Sequence, residues 1–417
     1  MEESHVITAD KDYSFEAVPA TDRKAFWSMF FVMLGFTFFS SSMSVGATLG
    51  NGMDLKGFIA SVVVGSTVLS VYTGFLASIG CKTGLSFDQL GQRTFGKKGS
   101  YLPSAVVTVT QIGWFGVGVA MLSKCVAEEL GISKIPVIVI AGACMTASAY
   151  FGIKGMEMIS YVAVPLIAVL GTWSMIHATT AGGGLTAVFS RNTGDITLIG
   201  GITLVIGSFI SGGTTTPNFT RFAKDKKTAV ITTVIAFFVG NTLMFSFGAV
   251  GGAFTGKDDI FYVMIAQGIF VPALLVLGAN IWTTNDNTLY SAGLGLSNIT
   301  GMRKRPLVII AGIIGTVASL YIYDHFINWL VILNCIMPPI GAVIITDYLV
   351  NRNRYAEDIK TLSSVNTGNI ISVLAGALTG IIFGKGISGI NAMIVSVMVY
   401  FLIGKVKKKT RHEEPDF

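Results

Sequence analysis

The sequence predicts an all-α integral membrane protein of twelve transmembrane helices, ten of them arranged as two inverted five-helix repeats. Three observations carry this prediction: the composition, a recurrence of apolar runs, and two matching helix breaks. Hydrophobic residues make up 52% of the 417-residue chain, charged residues only 12%, and mean hydropathy is +0.67. Soluble domains carry roughly a quarter charged residues. Apolar runs long enough to cross a bilayer, about 20 residues each, recur along the whole chain.

The runs fall near residues 26–49, 57–80, 102–125, 135–152, 156–178, 196–220, 228–252, 266–297, 307–324, 327–349, 368–384 and 388–404. They divide the chain into a polar N-terminal tail (1–25), a first repeat (26–178), a second repeat (196–350), two additional helices (366–404) and a basic tail (405–417). The first 25 residues hold no apolar core, so no cleaved signal peptide is expected.

Charge sets the expected orientation. Of the Lys and Arg residues, 23 fall in the two tails and the even-numbered loops, among them Lys11, Arg23, Lys97, Lys154, Lys227, Arg305 and Arg354. The other side holds 6: Lys56, Lys124, Lys134, Arg191, Lys257 and Lys385. This bias places both termini in the cytoplasm, and the protein in the inner membrane if the source is a bacterium. The net charge of +6 therefore reports topology and indicates no nucleic-acid partner. The run Lys405-Val-Lys-Lys-Lys-Thr-Arg411 directly after the last span suits contact with anionic lipid.

Nothing points to an enzyme. Cys81, Cys125, Cys144 and Cys335 are scattered, without disulfide or zinc spacing. His5, His177, His325 and His412 have no ligand-spaced neighbours, and no nucleophile-elbow, zinc-protease or phosphate-loop motif occurs.

The breaks are more informative. Gly207-Ser-Phe-Ile-Ser-Gly-Gly-Thr-Thr-Thr-Pro217 interrupts the sixth span, and Gly35-Phe-Thr-Phe-Phe-Ser-Ser-Ser-Met-Ser-Val-Gly46 interrupts the first. Freed backbone groups survive in a membrane only against protein or a watery cavity. The shift that sets Gly35 on Gly207 also sets Gln111-Ile-Gly-Trp114 of the third span on Thr283-Thr-Asn-Asp286 of the eighth. Units of five spans, an odd number, make the second copy inverted. Paired breaks of this kind build the midplane sites of transporters.

The side chains at these places suit a flat ligand and a hard cation. Gln111 and Trp114 are three apart and share a helix face about twelve residues into their span. Trp114 offers a π-face, Gln111 a donor and an acceptor, and Phe209 a second face. Asn280, Thr283 and Thr284 project oxygens from one face of the eighth span, opposite carbonyls such as those of Gly35 and Phe38 freed by the first break. Threonine hydroxyls can equally bond back along their own helix. Asp286, an acid within the same span, is either a proton relay or a bundle-internal partner. Trp27 and Trp329 read as interfacial anchors.

The segments Thr110-Gln-Ile-Gly-Trp-Phe-Gly-Val-Gly118, Gly207-Ser-Phe-Ile-Ser-Gly-Gly213, Asn280-Ile-Trp-Thr-Thr-Asn-Asp-Asn287 and Ile336-Met-Pro-Pro-Ile-Gly-Ala-Val-Ile-Ile-Thr-Asp347 resemble the nucleobase:cation symporter-1 family. The resemblance implies a leucine-transporter-like fold with broken helices 1 and 6. It also implies a substrate site in which Trp114 and Phe209 sandwich a base while Gln111, Ser208 and Asn280 or Asn285 bond its edge. The implied sodium ligands are Gly35 and Phe38 carbonyls with Asn280, Thr283 and Thr284. Family members that take hydantoins or purines carry a second Trp where this chain has Phe209, which implies a small single-ring ligand.

The expected function is uptake of cytosine by sodium symport with alternating access, with no cofactor beyond the transported ion and no obligatory protein partner. The alternative is a proton-coupled carrier for another nucleobase or related heterocycle. A channel would need no paired helix breaks, and a receptor would need a signalling domain that the twelve spans leave no room for.

Overall fold

Hydrophobic runs that cannot remain in water become helices whose backbone is satisfied internally. The computed structural model describes residues 12–257, 260–383 and 386–413. His5, Lys11, Lys385 and the end of the basic tail lie outside the described residues. Eight helices pass as membrane spans by length and composition alone, and the bent pair Phe26–Thr37 and Ser40–Gly52 makes a ninth. Lys134–Ala149 and Thr367–Ile382 are apolar but only 16 residues each. The eighth span, Phe270–Thr300, has ample length at 31 residues, and its polar centre lowers its hydropathy. It begins later than the sequence suggests, because a separate short helix, Ile260–Ala266, precedes it.

The two predicted breaks differ in kind. In the first span, Phe38 and Phe39 leave helical geometry (ψ 89° and 134°) and the halves meet at 52°. In the sixth, Gly212 and Gly213 stay helical, and the interruption falls later, at Thr215 and Thr216 ahead of Pro217. The glycines serve packing. A Cβ on Gly212 would stand 2.9 Å from the Phe36 and Phe209 rings, and one on Gly213 2.8 Å from Thr73. Thr214 and Thr215 bond back to the carbonyls of Ile210 and Gly212, both at 2.8 Å. That is the supporting role expected of these threonines.

Helix pairs repeat under the inversion. The second span (Leu55–Thr83) packs on the sixth as the seventh (Lys226–Thr255) packs on the second half of the first. Gly46, Gly50 and Gly248 bring that last pair into backbone contact. A Cβ on Gly248 would fall 1.8 Å from the Met43 carbonyl oxygen, and one on Gly46 2.2 Å from that of Phe245. Small residues at such crossings let dispersion and close packing hold helices that lipid cannot press together. The third span (Tyr101–Leu130) lies against the eighth, and the ninth (Lys304–Ile322) against the third and fourth.

One end of the bundle gathers Lys24, Arg221, Lys304 and residues 12–23. Residues 12–24 cross it as a strap. Lys24 bridges Ala223, and Val18 donates to the Gly84 carbonyl at 2.9 Å. Arg221, fully buried, donates to the Asp12 and Tyr13 carbonyls (2.6 and 2.9 Å) and to the Tyr290 hydroxyl (3.0 Å). Lys304, also buried, pairs with Asp12 at 2.7 Å. Nearby, Ser86 and Gln89 form a reciprocal capping box that starts the short helix Phe87–Phe95, whose Phe87 N–H is taken by Asn218 at 2.8 Å.

Candidate functional site

The first, third, sixth and eighth spans meet at mid-depth around a cavity of about 10 Å³. Its lining includes Gln111, Trp114, Ser208, Phe209 and Thr284, residues that three separate segments of sequence contribute. Typical ligand sites enclose roughly 300–1,000 Å³, so these helices must part before a ring can enter. Trp114 reaches across from the third span, its indole N–H donating to Ser211 Oγ at 2.7 Å, and its ring meets Phe39 edge-on at 5.7 Å. Phe209 is set by edge contacts with Phe36 (5.2 Å) and Phe237 (5.5 Å). Ser208 Oγ donates to the Val205 carbonyl at 2.8 Å, leaving its lone pairs to accept. The Gln111 amide nitrogen is buried and has no hydrogen-bond partner. A buried, unmatched donor costs about 1–3 kcal/mol, so a ligand that accepts from it would recover that cost.

A second cluster sits beside this cavity, where the eighth span faces the first break. Thr284 Oγ1 lies 3.3 Å from the Phe38 carbonyl oxygen and 3.4 Å from that of Phe36. Asn280 Oδ1 accepts from Ser40 Oγ at 2.9 Å. Thr283 bonds back to the Asn280 carbonyl at 3.0 Å, with its oxygen lone pairs still able to accept a cation. Gly35 packs so closely on the fifth span (Ile153–Ala181) that a Cβ would stand 2.2 Å from Ser160 Oγ, and that buried hydroxyl has no hydrogen-bond partner. Neutral carbonyl, amide and hydroxyl oxygens are the donors a hard monovalent cation takes, so these residues fit one.

The remaining expectations separate. Asn280 and Asn285 do not line the cavity. Asn280 faces the break, and Asn285 turns to the third and fourth spans, donating to the Phe115 carbonyl (3.3 Å) and approaching Met145 Sδ (3.2 Å). Asp286 Oδ1 accepts from Ser148 Oγ of the fourth span at 2.6 Å, a hydroxyl that also accepts the Trp282 indole N–H at 2.8 Å, while Oδ2 is buried without a partner. Trp27 is 65% exposed on the membrane side. Trp329 is not at an interface in the same way: its ring packs over Gly113, where a Cβ would stand 2.7 Å away, because the third span lacks a side chain there. Phe36, Phe39, Ser211, Gly212 and Thr288 complete the cavity and Ser160 faces the cation cluster, yet none was singled out from sequence. Phe36, Phe39, Ser211 and Gly212 do lie inside the two break segments, which was the available signal. Thr288 and Ser160 had none beyond helical position.

Near the strap, outside the spans, burial pushes the Asp88 carboxyl up to about 6, against the pull of its Ser104 hydrogen bond (2.5 Å) and of Arg221.

Paired inverted helices, a discontinuous first span and a polar site at mid-depth define a secondary transporter. The chain belongs to the family of permeases for cytosine/purines, uracil, thiamine and allantoin, whose model matches residues 17–404. It is 45% identical over 404 residues to the cytosine permease of Escherichia coli K12, covering 96% of both chains. Identity to the hydantoin permease of Microbacterium maritypicum is 21% over 354 residues, with 76% of this chain and 72% of that one covered. The fold matches a nucleobase-cation-symport-1 family transporter in a closed conformation with bromovinylhydantoin bound, at a TM-score of 0.79 and 16% identity, covering 94% of this chain and 95% of that chain. The family resemblance seen in the sequence is thereby borne out, as is the leucine-transporter-like architecture.

Proposed function

We propose that this protein imports cytosine together with sodium across a bacterial inner membrane, with both termini in the cytoplasm. The observation that carries the reading is the unpaired Gln111 amide nitrogen on a cavity also lined by Trp114 and Phe209. A planar base would stack on the two rings and take the Gln111 N–H at a carbonyl or ring nitrogen, while its amine donates to Ser208. The high identity to a cytosine permease selects the base. Sodium would bind among Gly35, Phe38, Asn280, Thr283 and Thr284, tying the first span to the eighth. Since Phe36 and Phe39 flank those carbonyls and also line the cavity, an ion that orders the break orders a wall of the substrate site. Each ligand then binds better to the form the other has ordered, which is the reciprocal coupling symport requires.

Asp286 supports a second reading, in which the coupling ion is a proton: its Oδ2 is buried with no partner. Uptake of labelled cytosine into proteoliposomes decides between them. Sodium symport requires accumulation driven by an inward sodium gradient and unaffected by a protonophore. Accumulation that ignores sodium and collapses with the protonophore assigns the proton instead. Failure of any pyrimidine to accumulate under both gradients rejects cytosine as substrate.

A further inference from the structure

Between the fourth and ninth spans lies a groove of about 660 Å³ that shares no lining residue with the substrate cavity. Its size falls in the roughly 300–1,000 Å³ range of ligand sites. The floor is made by two reciprocal contacts. A Cβ on Gly142 would stand 2.3 Å from Thr316 Oγ1, and one on Gly312 2.2 Å from Thr146 Oγ1, so the helices touch with no bulk between them. Larger apolar side chains form the walls and face the membrane: Ile313 is 60% exposed and Phe151 68%. A slot of this kind, floored by glycine and threonine, walled by apolar side chains and open to lipid, takes a hydrocarbon chain.

The charge at one end narrows the choice of molecule. Tyr150 forms that end of the groove, and the Arg305 guanidinium sits over its ring at 5.4 Å. Arg303, two positions before Arg305 in the chain, and Lys154, four after Tyr150, are exposed. None of these three cations forms an ion pair among the described residues. Unpaired basic residues at the mouth of an apolar slot complement an amphiphile with a negative head. A second copy of the chain is a poor match, since two-fold pairing through this face would bring the same three cations together.

We propose that the groove binds an anionic phospholipid, with an acyl chain along the Gly142–Gly312 floor and the phosphate held at the rim by Arg305 and Lys154. Native mass spectrometry of the full-length protein, titrated with phosphatidylglycerol or phosphatidylcholine of identical chains, tests it. The wild type should retain phosphatidylglycerol at least about tenfold better. Arg305→Gln with Lys154→Gln should lose roughly 10- to 30-fold of that preference, the effect of two basic residues near an anionic head. Ala143→Phe with Ala147→Phe, both at exposed positions, should fill the slot and weaken both lipids while leaving the melting temperature of delipidated protein unchanged. Equal retention of the two lipids by the wild type overturns the proposal without recourse to any variant. So does a preference that survives the charge removal, or a dimer that the paired phenylalanines dissociate.

Discussion

Under the proposed function, single side chains decide what the cavity recognises. Base–aromatic stacking is worth about 1–3 kcal/mol, so Trp114→Ala should weaken cytosine binding by roughly 5- to 150-fold in calorimetry while sodium binding persists. Gln111→Leu removes the unmatched donor. It should raise the melting temperature of the ligand-free protein and abolish base binding, a pairing of gain and loss that a merely structural glutamine would not give. Thr284→Val keeps the shape and deletes the oxygen nearest the Phe38 carbonyl, so the sodium concentration for half-maximal uptake should rise at least about tenfold. Much of this was legible beforehand: Gln111, Trp114, Ser208 and Phe209 came from spacing, local polarity and family resemblance, and all four line one cavity. Asn285 was harder. One residue on a helix is about 100° of rotation, and only packing against Phe115 and Met145 shows which way it turns.

Helices act here as pairs, and the tightest is the second half of the first span with the seventh. Gly248→Leu would drive a side chain into the Met43 carbonyl, so it should lower the melting temperature by several degrees or abolish folded yield, whereas the same change at Gly278, which meets nothing within 4 Å, should be tolerated. That comparison separates helix propensity from close approach. The short helix Phe87–Phe95 carries a pH signature. Asp88 titrates near 6 when folded and near its ordinary 3.8 when unfolded, so its contribution to stability is whole below about pH 4 and is lost as pH rises through 6. Thermal melts between pH 4 and 7 should show that decline, and Asp88→Asn should flatten it. The sequence located both helix breaks but not their form. Glycine inside a membrane helix reads as a rupture until its neighbours are known, and Gly212 and Gly213 are helical because Phe36, Phe209 and Thr73 need the room.

Over the whole molecule, alternating access requires one end to be shut while the other opens, and the strap of residues 12–24 lies across the basic end. Lys304→Met removes one member of a buried ion pair. Breaking such a pair costs about 3–5 kcal/mol, so the end should open in preference. Cysteine labelling at position 211 from that side should accelerate at least tenfold, and reducing uptake without reducing cytosine affinity in detergent would match. The membrane helices were readable from composition and the expected inversion from the two matched breaks, but the strap was not, because Asp12 and Tyr13 sit in a polar stretch that resembles any tail. Its partners also give it a place in time. Asp12 is bound by Arg221, 209 positions later in the chain, and by Lys304, later still. A ribosome releases the strap first, yet the seat that receives it is complete only once Lys304, at the start of the ninth span, has been made. Until then the strap lacks its ion-pair partner, so this end of the bundle is finished late in synthesis.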